Sequence, residues 1–138
     1  MTANLKPGDT ASVENIVRET MLAAAFFVDA PAEKFPPVLA TPYLIADLER
    51  ACARLLEPLL SEGQLSVGAH IDVRHIAPTG VGGRYRARAT FVEEKAPLYW
   101  FEVIAEDAVG VIGKGRIARA IVSEAAITAR GAQAASGG

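Results

Sequence analysis

Residues 41–60 read Thr-Pro-Tyr-Leu-Ile-Ala-Asp-Leu-Glu-Arg-Ala-Cys-Ala-Arg-Leu-Leu-Glu-Pro-Leu-Leu, and this stretch decides the fold. Leu44, Leu48, Cys52, Leu55 and Leu59 recur every three or four residues, so one stripe of a helix is apolar. Asp47, Arg50, Arg54 and Glu57 form a second stripe, expected to face water. Thr41 suits the N-cap and Pro42 the first helical position. Gly63 is a C-terminal stop, and Pro58 distorts the last turn. The spacing predicts a helix from Pro42 to about Leu60.

Downstream, four strand-like runs cover about residues 65–77, 84–94, 98–107 and 110–124. Turn residues separate them at Gly80, Gly82-Gly83, Ala96-Pro97 and Asp107 to Gly110. Short connections predict antiparallel neighbours. Upstream, residues 1–9 read as a frayed start with a turn at Pro7-Gly8, and residues 10–18 as a first strand. Residues 19–40 hold an Ala-Ala-Ala-Phe-Phe run and then Pro31, Pro36 and Pro37. They predict a loop or short helices of the kind that often carries function. The segment from Ile127 to Gly138 is rich in Ala, Gly and Ser and is expected to be a flexible tail. One long apolar helix followed by a meander has a natural solution, in which the sheet curls around the helix. The expectation is therefore an α+β domain over residues 1–126, an antiparallel sheet wrapped around one long central helix.

The 138 residues fit one domain, and half of them are hydrophobic. A net charge of -2 leaves no basic footprint for nucleic acid. The longest apolar run near the start, Met21 to Val28, is too short to span a bilayer. Its acidic and mixed flanks are unlike those of a signal peptide, so a soluble, cytoplasmic protein is expected. Cys52 is the one cysteine and sits in the helical pattern, where it reads as a small buried hydrophobe. Two histidines and one cysteine argue against a zinc site. There is no phosphate-cradling glycine loop, and Ser61 and Ser66 lack a nucleophile-elbow context.

Three polar residues break the pattern. Around the helix, the nearest neighbours of Glu49 are Ile45, Cys52 and Leu56, so it is a charge among apolar side chains. A buried carboxylate needs a partner or a raised pKa. In the strand from Leu65, a period of two groups His75 with Leu65, Val67, Ala69, Ile71 and Val73. The same count groups His70 with Ser66, Gly68, Asp72 and Arg74. Arg119 falls on the face of Val111, Gly113, Gly115, Ile117 and Ile121, an inward arginine beside two glycines. On pattern alone each has a bland reading too: a border carboxylate, a satisfied core histidine, an arginine that snorkels to water.

Several of these segments together resemble a known family. Phe35-Pro-Pro-Val-Leu-Ala-Thr41, Leu48-Glu49-Arg-Ala-Cys52, Leu65-Ser-Val-Gly68, Val73-Arg-His75-Ile-Ala-Pro-Thr79 and Ile112-Gly-Lys-Gly115 to Arg119 are similar to the fluoroacetyl-CoA thioesterases of the hot-dog fold. The resemblance covers about residues 35–124 in register. It implies a catalytic threonine, glutamate and histidine at Thr41, Glu49 and His75. It also implies a pocket-lining glycine at Gly68, a supporting arginine at Arg119 and a gating phenylalanine at Phe35. Glu49, His75 and Arg119 are the pattern's own anomalies. The chain departs from the family at Ala32, where the fluoroacetyl-specific member has a second gating aromatic; Phe26-Phe27 are the nearest substitutes.

The function implied is hydrolysis of a short acyl-CoA, halogenated acyl groups included, to the free acid and CoA. His75 would serve as base and acid, and Glu49 would orient it or attack the acyl carbon. Thr41, at a helix N-terminus, would sit where negative charge is favoured. No cofactor or metal is implied, since CoA enters with the substrate. Hot-dog folds of this kind pair into homodimers with sites between subunits, so Thr41 and Glu49 can meet a His75 from either chain. The alternatives are a non-catalytic acyl-CoA-binding module, which needs no triad, and a hot-dog enoyl-CoA hydratase, which wants an aspartate–histidine pair.

Overall fold

The computed structural model describes residues 4–137. Strand β1 spans Thr10–Ile16, helix α1 Thr41–Leu56, β2 Gln64–His75, β3 Arg84–Lys95, β4 Leu98–Asp107, β5 Val111–Ser123 and helix α2 Glu124–Ser136. Short 3-10 turns occupy Glu19–Met21, Ala23–Ala25 and Glu57–Leu59. The five strands form one antiparallel sheet in the order β1-β3-β4-β5-β2. Its inner face contributes Val13, Tyr85, Ala87, Ala89, Phe91, Phe101, Val103, Ala105 and Ile117 to the core. Helix α1 packs on all five strands through Leu44, Leu48, Ala51, Cys52 and Leu56, each fully buried. Gly113 lets the helix sit close, because a Cβ there would lie 2.8 Å from Leu44 Cδ2. This is the expected hot-dog arrangement, a sheet curled around one helix. No helix among the described residues is long and apolar enough to cross a membrane.

Four expectations need correction. First, β2 and β3 are not neighbours, because β2 pairs with β5 and β3 pairs with β1. The eight residues between them cross the end of the sheet. Their backbone groups bond elsewhere, Leu39 N to Thr79 O at 2.8 Å and Val17 N to Gly83 O at 2.9 Å. Second, the N-cap is Ala40 and not Thr41, which is the first helical residue and makes no capping bond. Third, Asp47 is buried and not in water. Asn15 Nδ2 donates to it at 2.9 Å, Arg50 Nη1 at 2.8 Å and the Tyr85 hydroxyl as well. Burial alone would raise its carboxyl, but these donors hold it below the ordinary aspartate value. Fourth, the segment expected to be a tail lies largely in α2, which Ser123 caps by accepting from Ala126 N at 3.2 Å. None of the α2 residues is buried. The alanines that suggested a tail are also the best helix formers.

The feature that matters most for the site is a bulge. β2 pairs Gly68 with Arg119 and then His70 with Ala118, so Ala69 is an extra residue. Before it, Ser66 and Gly68 face the helix; after it, Ile71, Val73 and His75 do. The uninterrupted period of two had placed Ser66 and Gly68 on the opposite face. His75 and His70 remain on opposite faces, as expected.

Candidate active site

The N-terminus of α1 is held by backbone bonds. Ala40 N donates to Met21 O at 2.8 Å, and Tyr43 N and Leu44 N donate to Ala40 O. These bonds place Thr41 Oγ1 2.8 Å from His75 Nδ1, at the last residue of β2. The other ring nitrogen, Nε2, is buried with no hydrogen-bond partner among the described residues. A buried unpaired ring nitrogen is costly and so points to a reacting group. Burial lowers the His75 pKa from its ordinary value, with the Ala77 backbone opposing. The shift favours the neutral imidazole.

Glu49 lies in a second cluster. Arg119 Nη1 donates to Glu49 Oε1 at 2.9 Å, in an ion pair with both side chains mostly removed from solvent. Gly68 lies beneath the carboxylate, and a Cβ on it would collide with Glu49 Oε1. Glycine is needed there for close approach, not for an unusual backbone angle. Arg119 is itself held by Ser66, whose Oγ accepts from Nε at 3.1 Å and whose carbonyl accepts from Nη2 at 2.8 Å. Ser66 was not singled out by sequence reasoning. A glycine inside a strand pattern is a known mark of a bulge, so Gly68 could have revealed the bulge, though not the serine.

The two clusters do not meet within one chain. Thr41 and Glu49 are eight residues apart on α1, roughly 12 Å along the axis. His75 lies roughly 20 Å along β2 from Gly68. The helix runs against the strand, so its start meets the strand's end and its middle meets the strand's beginning. One cluster is therefore Thr41 with His75, and the other is Glu49 with Arg119, Ser66 and Gly68.

Phe35 lies in the loop before α1, half-exposed, with its ring centroid 5.4 Å from that of Phe27. Phe26 packs edge-on against Tyr43 of α1 at 5.7 Å. Both members of the Phe26-Phe27 pair therefore join an aromatic cluster with Phe35 and Tyr43. Cys52 is fully buried, and burial pushes its thiol up to about 12, which leaves it inert as a nucleophile. His70 stands on the outer face, its ring tilted against Trp100 with centroids 5.2 Å apart, and the Trp100 ring also carries the Arg116 guanidinium. Among the described residues no three His, Cys, Asp or Glu side chains gather as a metal site.

The family of fluoroacetyl-CoA-specific thioesterases matches residues 17–125. The fluoroacetyl-CoA thioesterase of Streptantibioticus cattleyicolor is 34% identical over 89 residues, 64% of this chain and 64% of that protein. The match thus spans just under two thirds of that relative's length. The solved structure of a fluoroacetyl-CoA thioesterase superposes with a TM-score of 0.89 at 26% identity, covering 95% of this chain and 98% of the other. A threonine-to-serine variant of such a thioesterase, in complex with acetyl-CoA, gives 0.87 at 26% identity over 94% and 98%. With a matched region that holds α1, all of β2 to β4 and both polar clusters, the chain belongs to the fluoroacetyl-CoA-specific thioesterase family.

Proposed function

We propose that this protein hydrolyses the thioester of a short acyl-CoA, in a homodimer whose sites combine Thr41 and His75 of one copy with Glu49, Arg119 and Gly68 of the other. The single observation that carries this reading is the split of the polar groups into two half-sites that one chain cannot join. Family membership supplies the reaction, and a related thioesterase variant bound to acetyl-CoA supplies the substrate class. Strand β2 ends the sheet order, so its outer edge offers unpaired backbone groups to a second copy. An antiparallel pairing of β2 with the same strand of a second copy, centred near Ile71 and Asp72, would set Gly68 opposite the other copy's His75. Ile71 lies at that centre and is 45% exposed in the single chain, an apolar side chain suited to burial there.

The residues divide the work as follows. His75 Nε2 accepts a proton from water or returns one to the leaving thiolate. Glu49 Oε2, which has no partner among the described residues, is the oxygen free to attack the acyl carbon, while Oε1 stays with Arg119. Attack forms an acyl–carboxylate anhydride and breaks the carbon–sulfur bond; water then hydrolyses the anhydride to the free acid. Phe35 and its aromatic neighbours close the acyl end and favour groups of a few carbons.

A panel of acyl-CoA esters in a free-thiol release assay tests the reading. Acetyl- and haloacetyl-CoA should turn over faster than long-chain esters. Binding without thiol release would leave only an acyl-CoA-binding module, and hydration of an enoyl-CoA would make it a hydratase. The pH profile provides a separate check. The acid limb of kcat/KM should fall below the ordinary histidine value near 6.5, since the His75 pKa is lowered and its neutral form must act. A limb above that value would argue against His75 as the proton acceptor.

A further inference from the structure

We infer that Ser66 is a positioning residue for the reaction, acting on Glu49 through the Arg119 guanidinium. This rests on the reading of Glu49 as a reacting group. A guanidinium has two usable edges and one axis about which it swings. Ser66 takes one edge whole: its hydroxyl accepts from Nε at 3.1 Å and its carbonyl accepts from Nη2 at 2.8 Å. Two parallel bonds from one residue fix both the plane and the rotation of the group. Nη1 is then left with one direction, toward Glu49 Oε1 at 2.9 Å.

The Arg119 side chain is 11% exposed, so few other acceptors compete for it. Glu49, at 25%, keeps access to a substrate while one oxygen is pinned. Gly68 supplies the floor, because any side chain there would occupy the place of the carboxylate. The Ala69 bulge makes this arrangement possible, since it sets Ser66 and Gly68 on the face of the helix. In the sheet Ser66 stands opposite Ile121, next to Arg119 in the inward row of β5. The hydroxyl is thus within reach of the guanidinium.

If only the Ser66 carbonyl remained, the guanidinium could rotate about its single bond and Glu49 would sample several poses. A mispositioned reacting group lowers the rate of the chemical step and leaves substrate binding in place. Ser66→Ala should therefore lower kcat roughly tenfold with KM nearly unchanged. Ser66→Thr, which keeps the hydroxyl, should restore most of the rate. In an Arg119→Lys background, which lacks the two-edged clamp, Ser66→Ala should cost little more, since the two residues act as one unit. Thermal unfolding of each variant shows whether loss of structure accounts for any change. The inference is overturned if Ser66→Ala keeps full kcat, if Ser66→Thr fails to rescue while folded, or if the two losses simply multiply. Glu49→Gln run alongside separates the two levels. If Glu49→Gln is fully active, the reading of the site fails; if it is inactive while Ser66→Ala is unchanged, only the positioning role fails.

Discussion

Mixing two inactive variants, His75→Ala and Glu49→Gln, should restore thioesterase activity that neither shows alone. Each homodimer carries the same defect in both of its sites. A mixed dimer does not. One of its sites receives both defects, and the other receives Thr41 and His75 from the Glu49→Gln chain and an intact Glu49 from the His75→Ala chain. Random reassociation of equal amounts gives about half mixed dimers with one good site in two, so about a quarter of the unmodified rate should return in the mixture and about half in the isolated mixed dimers. The measurement needs differently tagged chains, denatured together, refolded and isolated as mixed dimers. If purified mixed dimers stay as inactive as their parents, the two half-sites do not combine across copies. The separation along α1 makes the same point geometrically: no rotamer of Glu49 bridges the roughly 12 Å of helix to the turn where Thr41 meets the histidine of its own chain.

His75→Ala should cut kcat by roughly 10²–10⁴-fold, the usual effect of removing a positioned general acid–base group. His70→Ala should change kcat little. His75 lies on the inner face beside Thr41, with one ring nitrogen buried and unpartnered. His70 packs at a tilt against Trp100 on the outer face. Both variants should fold, because the first removes a group whose Nε2 has no partner among the described residues and the second removes an exposed ring. Steady-state kinetics with circular dichroism decides the matter. Loss confined to His70→Ala, or full activity in both, would remove His75 from the site.

Much of the fold was legible because α1 writes its period of three to four plainly between residues 44 and 56. The strand boundaries followed from Gly, Pro and Asp at the turns. The pairing of β2 was not legible, since a connection of eight residues permits either a hairpin or a crossing, and only tertiary bonds to Leu39 and Val17 decide between them. Asp47 was misplaced because a helical stripe has soft edges. Its partners Asn15 and Tyr85 stand on β1 and β3, far away in sequence. Of the site, Glu49, His75 and Arg119 announced themselves as polar residues among apolar ones. Gly68 entered only through resemblance, and the strand count contradicted it until the bulge was seen. Ser66 carried no signal, because a serine in a strand resembles any surface serine until its partner is known.

The extra residue at Ala69 gives β2 two phases. Its first half turns even-numbered positions inward, and its second half turns odd-numbered ones inward. A single strand can thus offer bare backbone and a hydroxyl at one end and an imidazole at the other, all toward the same helix. Point substitutions cannot undo this arrangement, because exchanging side chains leaves the phase untouched. Only a change in chain length would do so, and losing one residue would carry either the serine and glycine or the histidine to the outside. For this strand, then, the arrangement depends on a count of residues as much as on their identities.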